Sequence, residues 1–212
     1  MRTTVTYLFD PLCGWCYGAS PVIQQLGQHN TFTLKLSPTG LFSGSGGRTM
    51  DAAFANYAWW NDMRIEKLTG QRFTEQYRKQ VLGKPGSRFN SAPTTLALTA
   101  VSMTEPQREL ETLKALQEAR YVQGLDTSTF LEVEKLLRNL GLVVAADWLA
   151  TRDIQLQLTN DVRVQRAQQQ MQALGAQGVP ALVVEDEDGS RLLSGNVLYG
   201  SFDGLLGHIA AA

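Results

Sequence analysis

Tyr7-Leu8-Phe9-Asp10-Pro11-Leu12-Cys13-Gly14-Trp15-Cys16-Tyr17 carries an apolar run into a turn, and two thiols follow at Cys13 and Cys16. They are the only cysteines in the chain. A C-x-x-C set where a strand passes into a helix can open and close a reversible disulfide, so the stretch points to thiol–disulfide exchange. Only a thiolate attacks a disulfide, and the backbone N–H groups at a helix start favour an anion. Cys13 is therefore expected as the attacking sulfur. Cys16, back within one helical turn, is expected to resolve the mixed disulfide.

Working outward, Thr4 to Phe9 is β-branched and aromatic, with Val5, Tyr7 and Phe9 alternating onto one face of a strand that Asp10-Pro11 stops. Val22, Ile23 and Leu26 continue a helical spacing to Gly27, which puts Cys13 in the first turn of one helix. Pro21 inside it predicts a kink and not a break. Phe32 to Leu36 alternates again and closes a strand–helix–strand unit. Ser43-Gly44-Ser45-Gly46-Gly47 lacks the lysine of a phosphate-binding loop and the G-x-G-x-x-G spacing of a dinucleotide site, so it reads as a flexible connector.

From Met50 to about Leu158 the texture is helical. Leu110, Leu113, Leu116 and Ala119, then Leu131, Leu136, Leu137 and Leu140, recur at three and four residues, and the punctuation divides the region into about five helices. Asp126 or Thr127 is the expected N-cap of one of them, with Gly141 as its stop. A further helix is expected from near Asn160 to Gly175, with Val164, Ala167, Met171 and Leu174 on one face. Ala181 to Val184 and Arg191 to Leu193 read as a hairpin, Gly195 to Gly200 as a loop, and Phe202 to Ile209 as a terminal helix.

Composition limits the function. The formal charge of −1 gives no field to gather a polyanion, so nucleic acid is not an expected partner. No stretch approaches the roughly 20 apolar residues of a membrane span, and no export signal is read at the start, so a cytoplasmic location is expected. There a lone close cysteine pair is more often catalytic or metal-binding than structural. A zinc site usually needs four ligands, and His29 and His208 show no ligand spacing to the thiols, so no metal is expected. Two inert core cysteines are the remaining reading, without a packing reason to support it.

Gly178-Val179-Pro180, just before the strand at Ala181, has two readings: a proline at a strand start, or a cis Val179–Pro180 bond that sets an edge backbone beside the thiols to hold an extended substrate. Trp15 and Tyr17 are expected at the rim of the site, and Val179 with Pro180 against the substrate backbone. Asp10 has three readings: a proton relay, a charge that opposes thiolate formation, or an exposed capping residue.

Phe9-Asp10-Pro11-Leu12-Cys13-Gly14-Trp15-Cys16-Tyr17-Gly18, the long helical stretch with Phe89-Asn90-Ser91-Ala92-Pro93, and Gly178 to Val184 together resemble the DsbA-type branch of the thioredoxin superfamily, nearest its members without an export signal. The resemblance implies an α/β thioredoxin fold with a large all-helical insertion: residues 1–42 and 159–212 as the thioredoxin-like part and 43–158 as the insert. It implies Cys13 as nucleophile, Cys16 as resolving thiol, Pro180 as the cis-proline facing them, and protein or small-molecule disulfides and thiols as substrates, with no bound cofactor. The kappa-class glutathione transferases and 2-hydroxychromene-2-carboxylate isomerases share this architecture but typically have serine where Cys13 stands. A glutathione-dependent transferase or isomerase and a non-catalytic chaperone-like module therefore stay as alternatives, and glutathione stays open as a co-substrate.

Overall fold

The computed structural model describes residues 3–211; Met1, Arg2 and Ala212, at the ends of the expected thioredoxin-like segments, lie outside them. In chain order it contains β1 (Thr4–Phe9), α1 (Gly14–Gly18), α2 (Ser20–Gln28), β2 (Thr33–Pro38), β3 (Arg48–Thr49), α3 (Ala52–Thr69), α4 (Glu75–Tyr77), β4 (Arg88–Phe89), α5 (Ala92–Thr104), α6 (Glu109–Tyr121), α7 (Phe130–Asn139), α8 (Val143–Thr151), α9 (Ile154–Ala173), β5 (Ala181–Asp186), β6 (Gly189–Ser194) and α10 (Phe202–Ala210). A π-helical turn, Arg78–Leu82, extends α4.

The main sheet runs β2-β1-β5-β6. β1 pairs parallel to β2 and antiparallel to β5, and β5 turns back on β6. β1 is therefore central and buried on both faces, as the unbroken burial of Val5–Phe9 shows. One face, with Val5, Tyr7, Phe9, Leu182 and Val184, packs on α2, α5 and α10; the other, with Leu8, Ala181 and Val183, packs on Ala167 and Met171 of α9 and on Leu174, its C-cap.

The expected single helix after the thiols is divided in two. Pro21 has no N–H for the Tyr17 carbonyl, and the helix is interrupted at Ala19, although that residue keeps right-handed helical angles. The side chain of Gln71 supplies the missing donor, its Nε2 lying 3.1 Å from the Tyr17 oxygen. Cys13 is the N-cap of α1, one position earlier than its expected first turn.

Gly14 and Gly18 stand one turn apart on α1, and α3 packs against them. A β-carbon on Gly18 would lie 2.7 Å from Ile65 Cγ2 and 3.3 Å from Thr69 Cγ2; one on Gly14 would lie 2.6 Å from Asp62 Oδ1. Helix propensity alone favours Gly18→Ala by roughly 0.5–1 kcal/mol, while an overpacked contact costs roughly 1–3 kcal/mol. Net destabilisation of Gly18→Ala is the expected result, read as a lower urea midpoint at an unchanged m-value. A raised midpoint would mean that α3 gives way freely.

Three expectations about the helical region need correcting. α9 starts at Ile154, where Asp153 accepts from Leu156 N–H, and not near Asn160. The boundary drawn between 158 and 159 thus falls inside a helix. One apolar cluster, moreover, joins β1, α2 and α10 to α5, α6, α7 and α8, so the helical block shares its core with the sheet. The N-cap of α7 is Thr129, with Asp126 bonding Ser128 N–H just before it; Gly141, at φ 77°, does end that helix. Finally, the glycine-rich connector is built structure: a 3-10 turn at Gly44–Gly46 leads into β3, which pairs with β4. Among the described residues no helix is long and apolar enough to cross a membrane.

Candidate active site

Cys13 sits where β1 gives way to α1, its N–H bonded 3.1 Å to the Asp10 carbonyl. Its Sγ lies 3.7 Å from the Val179 carbonyl oxygen, across a sequence separation of 166 residues, and the Val179–Pro180 peptide is cis. Cys13 is 7% exposed and lines a cavity; Cys16, one turn further in, is 1% exposed, and both sulfurs are unbridged. Burial pushes the Cys16 thiol well above the ordinary thiol range, with the adjacent Cys13 sulfur adding to the rise. The pair is thus asymmetric, with one sulfur at the cavity wall and one behind it.

Trp15 divides two cavities. One, of about 540 Å³, runs along Gly175 to Ala181 and past Ser194, Gly195 and Asn196 to Tyr199. The other, of about 260 Å³, lies under α3 and is lined by Cys13, Phe42, Phe54, Tyr57, Asp62 and Tyr77 among others. Tyr199 holds the tryptophan in place: its O–H donates to the Trp15 carbonyl at 3.0 Å and its ring lies 5.3 Å from the indole. Beneath the pair, Tyr7 O–H donates to the Cys16 carbonyl at 3.2 Å, and burial raises that phenol well above its usual range.

The structure brings Cys13, Cys16, Trp15, Val179 and Pro180 together. Tyr17 does not join them. It is buried on the helical side, stacked 4.8 Å from Tyr121 and edge-on to Phe73, with burial raising its phenol to about 12. Asp10 is likewise not the exposed capping residue that one reading allowed. It is fully buried: Oδ1 accepts from Leu12 N–H at 2.9 Å, and Oδ2 accepts from Phe42 N–H at 3.0 Å and Ser91 O–H at 2.7 Å. Burial raises its carboxyl, and these three bonds together with the Arg120 charge pull against that rise.

Two residues of the site have only faint sequence signals. Asp62 falls on the stripe Ala58, Asp62, Ile65, Thr69, where an acid at helical spacing from an apolar Ala and Ile marks it. Arg120, 1% exposed, faces the rings of Tyr77, Phe89 and Tyr121 and lies 3.8 Å from Asp126.

A strand-capping C-x-x-C facing a cis X-Pro carbonyl on this sheet order is matched by what comparison finds. Residues 4–207 match the family described as DSBA-like thioredoxin domain. The chain belongs to that family. Among solved structures it is similar to the cytosolic disulfide reductase DsbM from Pseudomonas aeruginosa, at 28% identity and TM-score 0.85 over 99% of this chain and 100% of that one. It is similar also to DsbM with GSH, at 28% identity and TM-score 0.82 over 98% and 100%. A protein from Nitrosomonas europaea, at 24% identity and TM-score 0.78 over 98% of this chain and 99% of that one, shares the fold. Curated proteins gave no sequence match. The DsbA-like fold and these disulfide-reductase neighbours support an oxidoreductase, and no arrangement of three or more metal-ligating side chains occurs among the described residues.

Proposed function

We propose that this DSBA-family protein is a cytoplasmic dithiol reductase of disulfides, with glutathione as its thiol co-substrate. Cys13 attacks one sulfur of the substrate and displaces the other. Cys16 then attacks Cys13, releasing the second thiol and leaving a Cys13–Cys16 bond that glutathione reopens. Trp15 borders the bound substrate, and the Val179–Pro180 backbone holds it from the opposite side. The observation that carries this reading is the position of Cys13, at a cavity wall facing the Val179 carbonyl with Cys16 buried directly behind it. The likeness to DsbM supports the reducing direction, the cytoplasmic setting and the choice of glutathione.

Equilibration of the reduced protein with graded ratios of reduced to oxidised glutathione tests it. Both thiols are expected to disappear together into one internal bridge, at a potential nearer the reducing than the oxidising end of the thioredoxin-like range. Insulin reduction driven by glutathione should accelerate in parallel. Absence of an internal bridge at every ratio would remove the assignment, and a strongly oxidising potential would reverse its direction.

A further inference from the structure

The thiol reading leaves Asp62 unused. This carboxyl is 5% exposed and lines the same cavity of about 260 Å³ as Cys13. Its Oδ2 accepts a hydrogen bond from Tyr77 O–H at 3.0 Å. Its Oδ1 points at the first residue of α1, where a β-carbon on Gly14 would stand 2.6 Å away, and among the described residues no hydrogen bond reaches it. The groups that interact with Asp62 are Tyr77 from α4 and Arg120 and Tyr121 from α6, and Cys13, from the turn before α1, lines the same cavity.

Other titratable groups near the thiols are poorly placed to move a proton. Both oxygens of Asp10 are taken by three donors. Tyr7 and Tyr199 hold carbonyl oxygens and are pushed up by burial. Asp62 alone combines an open oxygen, the Cys13 cavity and a carboxyl that burial raises to about 7 against the pull of Tyr77 and Arg120. A group that titrates near the working pH serves in both directions of proton transfer.

We propose that Asp62 is the proton carrier of disulfide reduction, taking the proton of Cys13 and giving it to the departing sulfur of a disulfide bound in the cavity. This rests on the Cys13 reading above. In the balanced step, the Asp62 carboxylate accepts the Sγ proton and the Cys13 thiolate attacks RS–SR′. The Cys13–SR bond forms, the S–S bond of the substrate breaks, and its electron pair leaves on R′S. Asp62 then protonates R′S to R′SH and returns to carboxylate. Cys13 is oxidised and R′S reduced by the same electron pair, so no further reactant enters.

The test uses the full-length Cys16→Ala variant, which stops the reaction at the mixed disulfide, with bis(2-hydroxyethyl) disulfide as probe. The Cys13 adduct is followed by mass spectrometry from pH 5 to 9. A break near pH 7 is expected in the parent. Adding Asp62→Asn should slow adduct formation by about 10²-fold and remove the break. Adding Tyr77→Phe should move the break to higher pH, because the lost donor had favoured the carboxylate. A merely structural role for Asp62 would lower the rate and leave the break in place; that result overturns the proposal, as does an unchanged rate. Should Asp62→Asn fail to fold, an unmoved break in Tyr77→Phe overturns it equally. No adduct at all in the parent would sink the Cys13 reading itself, and the carrier with it; an adduct insensitive to Asp62 removes the carrier alone.

Discussion

Replacing Cys16 with alanine is expected to turn a catalyst into a trap, while replacing Cys13 with serine abolishes the reaction. The two sulfurs are not equivalent in their surroundings. Cys13 lines a cavity, whereas Cys16 is closed off behind it and its thiol is held well above the ordinary range by burial. Attack from outside must therefore fall on Cys13, and Cys16 enters only as the intramolecular nucleophile. Turnover with an insulin or glutathione disulfide should drop on the order of 10³-fold or more in Cys13→Ser, as losses of a covalent nucleophile do. In Cys16→Ala the first displacement should survive and the adduct on Cys13 should accumulate for isolation. An adduct that accumulates on Cys16 in Cys13→Ser, with none in Cys16→Ala, would show that the order of attack is reversed.

Asp10→Ala should produce the largest loss of stability of any single change near the site. The carboxylate ties three segments together: Leu12 of the thiol-bearing turn, Phe42 at the exit of the first strand–helix–strand unit, and Ser91 just before α5. Alanine leaves the Leu12 and Phe42 N–H groups with no acceptor, at roughly 1–3 kcal/mol for each that water does not reach, and leaves the Ser91 hydroxyl with Ser43 Oγ alone. Relief of the buried carboxyl's own desolvation offsets part of that. A net cost of about 3–5 kcal/mol is expected, measured by urea or thermal unfolding. A loss below 1 kcal/mol would mean that water reaches the site and replaces the carboxylate.

The strands and the thiol turn were legible in the sequence because alternation and a C-x-x-C are local signals. Parallel pairing of Thr4–Phe9 with Thr33–Pro38 follows from the short helical crossover between them. Long-range contacts were not legible. The glycine-rich stretch looked flexible because what fixes it, the Ser43–Ser91 hydroxyl contact at 3.0 Å, spans 48 residues. Tyr17 looked like a rim residue because it lies four positions after Cys13. Which face of so short a helix the insert covers depends on Phe73 and Tyr121, and no local period reports that. The start of α9 was missed because Ile154-Gln155-Leu156-Gln157-Leu158 alternates at two residues and hides the helical repeat that Asp153 caps.

The continuous apolar interior that joins β1 and α2 to α5 and α8 has a consequence for how this architecture can diversify. The helical block cannot be exchanged like a cassette on a finished scaffold, since the packing it gives one face of the sheet would leave with it. A chimera that imports this block from a relative has to import the matching faces of α2 and α10 as well.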